Sequence, residues 1–244
     1  MSGNGQVLVH AENIVRSYGK GEDEVRALDG ITLDILQGEY ISLMGPSGSG
    51  KTTFFNIIGA LDFPTAGTIS LGGQELRRMK SAELAWLRCR NIGYIFQNYN
   101  LIEVVTALEN VALPMRFLGL SEKEAAEKAA GLLETVGLGE RTGHLPGELS
   151  GGQQQRVAIA RALANDPMII LADEPTGNLD TKTATSIVEL LSRMSDERGV
   201  TVISATHDHR MLSVSDRVVY LRAGKIEQIK NRDELKITIE SIND

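Results

Sequence analysis

The octapeptide Gly45-Pro46-Ser47-Gly48-Ser49-Gly50-Lys51-Thr52 constrains this chain more than any other feature of its 244 residues. Tyr40–Met44, just before it, is a short apolar run that reads as a buried strand, and 51–61, just after it, reads as a helix. Glycines at this spacing let successive backbone N–H groups turn inward around an anion. The helix N-terminus adds its partial positive charge. Lys51 supplies a full charge suited to two adjacent phosphates, and the hydroxyl of Thr52, followed by Thr53, suits a divalent cation. Strand, glycine-rich loop and helix in this order are a phosphate-binding loop. They commit the chain to an α/β fold built on a mostly parallel sheet.

The rest of the chain fits that commitment. Val7–Val15 and Ile31–Ile35 alternate apolar and polar residues and predict antiparallel strands, with turns at Gly19-Lys20-Gly21 and Asp29-Gly30. Thr68–Leu71, Ile92–Phe96, Met168–Ala172 and Thr201–Ala205 read as further strands, and 217–229 as a hairpin. Glu122–Thr135, Gly151–Ala164 and Thr183–Glu197 have helical composition and period. The expected organisation is one P-loop NTPase domain over 1–244. Its core, with an antiparallel β subdomain, covers about 7–96 and 166–229; an inserted α-helical subdomain covers about 97–165; a mixed-charge tail covers 230–244.

Composition narrows the partners. The net charge of -7 repels nucleic-acid phosphates, so no nucleic-acid role is expected. It equally disfavours direct adhesion to anionic lipid, so membrane contact should run through a protein. No stretch approaches the ~20 apolar residues of a membrane helix, and Met1–Gln6 is polar and glycine-rich, without an apolar signal core. A cytoplasmic or peripheral protein is expected. The single cysteine, Cys89, excludes an intrachain disulfide, and its neighbours Trp86, Leu87 and Ile92 predict a packed, inert thiol.

Two more segments carry chemistry. The apolar run Met168–Ala172 ends in Asp173-Glu174. Carboxylates are costly in a core, so both belong at the strand's C-terminal end, facing the ligand crevice. Asp173 suits a Mg²⁺ contact and Glu174 suits the general base that polarises an attacking water. Leu149-Ser150-Gly151-Gly152-Gln153 opens a helix with Ser150 as its N-cap, which makes a second anion-binding helix terminus. One chain needs one cradle for one ATP. The second makes sense if it closes over the ATP of a neighbour.

From about Val7 to Ile229 the chain resembles the ATPase subunits of ABC transporters. Leu149–Gln153 matches that family's signature motif at every position. The resemblance implies roles for further residues: Tyr18 as the aromatic that stacks on adenine, Gln97 as the sensor of Mg²⁺ and the γ-phosphate, Gly177-Asn178-Leu179-Asp180 as the D-loop, and His207 as the switch histidine. It implies catalysis by Glu174, His207, Gln97 and Lys51. ATP would be bound by Tyr18, Gly45–Thr53, Ser150–Gln153 and Asp180, and Mg²⁺ by Thr52, Gln97 and Asp173. It also implies a head-to-tail dimer that sandwiches two ATP molecules, hydrolyses them and so opens and closes.

The segments 174–180 and 100–111 are similar to the lipoprotein-releasing, macrolide-exporting and cell-division group of that family. The implied partner is an integral membrane permease, and the implied place is the cytoplasmic face of the membrane. An importer ATPase is the first alternative. A soluble ABC ATPase of translation or repair is the second, and it fits poorly a single domain with no heptad tract.

Overall fold

A computed structural model describes residues 5–235; the tail expected from 230 onward lies outside the described residues beyond Leu235. In chain order the elements are β1 (Val7–Tyr18), β2 (Val25–Leu36), β3 (Tyr40–Met44), α1 (Lys51–Ile58), β4 (Ala66–Leu71), β5 (Gln74–Glu75), α2 (Ser81–Asn91) and β6 (Ile92–Ile95). There follow α3 (Ala107–Phe117), α4 (Glu122–Thr135), α5 (Gly151–Ala162), β7 (Ile169–Asp173), α6 (Thr181–Arg198), β8 (Thr201–Ala205), β9 (Arg217–Arg222) and β10 (Lys225–Asn231). They fall into two compact units. One runs to Leu84 and resumes at Thr201; the other is Ala85–Val200.

In the first unit, β1 pairs antiparallel with β2 on one edge and with β4 on the other. Val9 and Ala11 face the buried side with Ile31, Leu33, Ile35, Ile69 and Leu71, as the alternation requires, and Ile14 joins them past a register shift at the left-handed Asn13, φ +49°. Asp29-Gly30 is not the turn expected from the sequence. Ile14 pairs with Ile31 and Val15 with Asp29, so Gly30 is an extra residue inside β2, at φ +80°. A bulge in a strand and a tight turn both require a left-handed residue, and glycine signals either. Beside this sheet, β3 lies between β8 and β9, parallel to both, and β10 folds back antiparallel on β9. β3 and β8 are buried along their whole lengths, as strands covered on both faces are.

In the second unit, β6 and β7 run parallel in register, Ile92 beside Ile169 through Ile95 beside Ala172. Three of its helices open on reciprocal capping boxes: Thr106 with Glu109, Ser121 with Glu124, and Ser150 with Gln153. Each side-chain cap contributes about 1 kcal/mol. Before α3, the loop is held by the buried Asn110. Its carbonyl accepts from Ile102 N at 2.8 Å, and its amide donates to the carbonyls of Ile102, Val105 and Thr106. Cys89 is half-buried with its thiol 3.7 Å from the Pro114 carbonyl, and burial pushes its pKa up, which agrees with an inert thiol. No helix among the described residues is long and apolar enough to cross a membrane.

Candidate active site

The loop after β3 has the shape expected of a phosphate cradle. Gly50 caps α1 at φ +103°, and a Cβ there would lie 2.7 Å from the Ala27 carbonyl, so no other residue fits. The Lys51 ammonium donates to the carbonyls of Gly45 at 2.6 Å and Pro46 at 3.1 Å, which keeps the charge across the loop. Ser49 is buried inside the loop, and its Oγ has no hydrogen-bond partner among the described residues. A buried hydroxyl without a partner costs roughly 1–3 kcal/mol. A phosphate oxygen seated in the loop would satisfy it. Thr52 and Thr53 lie in the first turn of α1, and the adjoining Pro46, Ser47 and Gly48 complete the loop.

Two more expected residues belong to the same unit. Tyr18 ends β1 with 42% of its surface exposed, and its hydroxyl donates to Asp62 at 2.9 Å. His207 lies two residues past Ala205, the last residue of β8, and is exposed. The next residue, Asp208, is fixed by its own N–H bond to Thr206 Oγ1 and by the Arg210 guanidinium.

The second unit brings Gln97 together with the acidic strand end. Because β6 and β7 are parallel and in register, Gln97 and Asp173-Glu174 leave the sheet at the same end. Gln97 Nε2 lies 3.0 Å from where a Cβ on Gly177 would be, and Asn178 donates to the Gln97 carbonyl and to Asn98 Oδ1, both at 3.0 Å. Glu174 sits at φ +46°, an uncommon conformation for a non-glycine residue. The turn is held by Gly177 N–H on the Glu174 carbonyl at 3.1 Å. The fully buried Gln155 also donates to the Pro175 carbonyl at 2.8 Å. Asp180 is the N-cap of α6, accepting from Lys182 N and Thr183 N, and its hydrogen bonds with Thr183 hold its pKa below the usual range.

Ser150 caps α5 as expected, its Oγ accepting from Gln153 N and its own N–H donating to Gln153 Oε1. A Cβ on Gly152 would lie 2.4 Å from Thr183 Cγ2, so glycine is what lets α5 and α6 approach. Several supporting contacts carry no signal in the sequence. Those of Gln155 are one and those of Asn178, a residue read there only as part of the D-loop match, are another; Arg161, which donates to the carbonyls of Tyr99 and Asn100 at 2.8 and 2.5 Å, makes a third set. Tyr99 and Asn100 are both left-handed, at φ +61° and +48°, which turns both carbonyls toward that guanidinium. Each acts across 20 or more residues of chain, where no spacing rule reaches.

A glycine-rich loop between a buried strand and a helix in the first unit, and a parallel strand ending in an acidic pair in the second, are each the marks of a P-loop nucleoside triphosphatase. The family model for ABC transporters matches residues 28–177. An ABC transporter ATP-binding protein of Thermotoga maritima is 51% identical over 220 residues, which is 90% of this chain and 94% of the relative. A macrolide export ATP-binding/permease protein of Hyphomonas neptunium is 49% identical over 90% of this chain, but the match spans only 34% of that longer protein. The dimeric ATP-binding cassette MJ0796 of Methanocaldococcus jannaschii, solved after hydrolysis with ADP and phosphate, superposes with a TM-score of 0.85 at 44% identity over 92% of this chain and 99% of that one. The chain belongs to the ABC transporter family as an ATP-binding subunit, and it is an ATPase.

Proposed function

We propose that two copies of the chain sandwich two ATP molecules head to tail and drive a membrane permease. The loop 45–53 binds the phosphates of one ATP, Tyr18 carries its adenine, and Ser150–Gln153 with Asp180 of the second copy close over it. Glu174 accepts the proton of the attacking water. His207, Gln97 and Lys51 surround the γ-phosphate and stabilise the charge that develops there. Hydrolysis removes the group that joins the copies, so chemistry becomes opening and closing. Thr52, Gln97 and Asp173 would hold Mg²⁺. They offer hydroxyl, amide and carboxylate oxygens, the hard donors that a magnesium held by substrate phosphates takes. When bound, the ion supplies neutralisation of the β- and γ-phosphate charge.

One observation carries the permease reading. The segment leaving Gln97 is apolar and partly bare: Ile102 is 41% exposed, Val104 84% and Phe117 73%, whereas Leu101, Val111 and Met115 are buried. Large apolar side chains left bare on a surface are the kind of group that a protein partner covers. A cleft in the same unit is lined by Tyr94 and Phe96, whose rings stack 5.7 Å apart, with Asn100 and Pro114. We assign this surface to a short cytoplasmic helix of the permease, in the helix-in-groove mode. On this reading the protein is peripheral, on the cytoplasmic face of the membrane. The likeness to the macrolide exporter favours the exporter, lipoprotein-release or mechanotransmission group.

The test is membrane co-sedimentation beside ATPase rate, in cells that make the native permease. Ile102→Glu and Phe117→Glu are expected to release the chain from membranes while the rate of the purified protein stays within about twofold, since surface changes usually cost under 0.5 kcal/mol. Variants that stay bound place the groove elsewhere. A wild-type chain that never sediments with membranes removes the permease from the reading.

A further inference from the structure

Tyr18 is braced by two charged side chains of its own unit. Arg16 and Tyr18 are two apart on β1, so their side chains leave the same face of the strand. Both reach one carboxylate. The Tyr18 hydroxyl donates to Asp62 Oδ2 and Arg16 Nη2 to Asp62 Oδ1, each at 2.9 Å. The Arg16 guanidinium also lies over the Tyr18 ring, 4.5 Å from its centroid, and so occupies one of its two faces. Asp62 is itself fixed. Phe63 N–H donates to its Oδ1 at 2.8 Å, and the N–H groups of Leu61 and Asp62 both donate to the Asn56 carbonyl in the last turns of α1. The following loop is tied to β1 by Thr65 N–H on the Val15 carbonyl and by Ser17 N–H on Thr65 Oγ1.

We infer that Asp62 is a positioning residue for nucleotide binding: it ties the Tyr18 ring to the far end of the phosphate helix, and with Arg16 it fixes which ring face receives the base. The inference rests on the reading of Tyr18 as the adenine platform. The physical logic is a ruler. α1 carries the phosphate cradle at its N-terminus and the Asp62 anchor just past its C-terminus, so one rigid element of about 12 Å sets the distance between the two ends of the ligand. An exposed tyrosine free to rotate would have to be ordered each time a base arrives, and a braced ring has that cost already met. The guanidinium on one face leaves the other for stacking.

The experiment measures KM and kcat for ATP, and inhibition by inorganic tripolyphosphate, which has phosphates and no base. Tyr18→Ala should raise KM about tenfold or more, the range of base–aromatic stacking. Asp62→Ala should raise it about three- to tenfold and Tyr18→Phe about two- to fivefold, from loss of hydrogen bonds. The double variant Tyr18→Phe/Asp62→Ala should be no worse than Asp62→Ala alone, because both remove the same bond. Asp62→Asn keeps the shape and should fall between Asp62→Ala and the wild type, which separates the effect from misfolding. Tripolyphosphate inhibition should be unchanged throughout. If Tyr18→Ala raises KM and both Asp62 variants do not, the platform stands and the brace is wrong. If Asp62→Ala weakens tripolyphosphate as much as ATP, Asp62 holds the helix and not the ring. If Tyr18→Ala itself leaves KM unchanged, the platform reading falls and the inference with it.

Discussion

Glu174→Gln lowers ATP turnover about 10²–10⁴-fold, the range of a lost general base, and leaves ATP binding intact. The turn that carries residue 174 is held through its backbone, by Gly177 N–H on the Glu174 carbonyl and by Gln155 on the Pro175 carbonyl. Glutamine has the same shape as glutamate and inherits that geometry, left-handed φ included. What it loses is the ability to accept a proton. ATP then binds and stays, and the closed state that ATP holds together should accumulate. The measurement is steady-state phosphate release, with size-exclusion chromatography at saturating Mg-ATP. Wild-type turnover in the variant would remove Glu174 from the chemistry. A variant that hydrolyses slowly yet stays monomeric would leave Glu174 as base and count against the two-copy sandwich.

Lys51→Ala is the second large effect. Its ammonium is held over the cradle by the Gly45 and Pro46 carbonyls, so its charge is already in place when a phosphate arrives. Hydrogen bonds to charged groups contribute roughly 1.5–3 kcal/mol each. Losing contacts to two phosphates therefore predicts a fall of about 10²–10⁴-fold in kcat/KM, which is close to abolition in an ordinary assay. Both turnover and affinity should suffer, in contrast to Glu174→Gln, because the lysine faces charge present before the reaction as well as charge that develops during it. Calorimetry checks the affinity and phosphate release the rate. ATP binding as tight as the wild type's would break the assignment of loop 45–53 as the phosphate site.

Much of the fold was legible because its signals are local. The glycine spacing of 45–50 announces a cradle, since only those positions force backbone N–H groups to converge. Glu122–Thr135 is found as a helix at its expected bounds, because Ser121 and Glu124 form the capping box that starts it. Thr201–Ala205 is also found as expected, a run buried along its whole length. Two misjudged segments share a cause. Asp29-Gly30 is a bulge and not a turn, because glycine reports a left-handed residue without saying whether the chain reverses there. Helix α2, unannounced by the pattern, has a polar sequence whose helical period is weak.

The sequence by itself determined which residues carry charge, where a glycine-rich loop opens a helix, where two carboxylates end an apolar strand, and that Ser150 caps the helix opening at Gly151. These follow from residue type and spacing within a few positions of one another. Only the tertiary structure decided what holds those groups still. The parallel register of β6 and β7 sets Gln97 beside the acidic strand end. Gln155 pins the turn after Glu174, Asn178 and Arg161 fix the chain on either side of Asn98, and Asp62 joins a strand residue 44 positions away to the end of the phosphate helix. The reason is the range of the forces. Backbone preference and capping act within a turn of chain and are written in neighbouring letters. A hydrogen bond between distant residues exists only after packing has brought its donor and acceptor within about 3 Å.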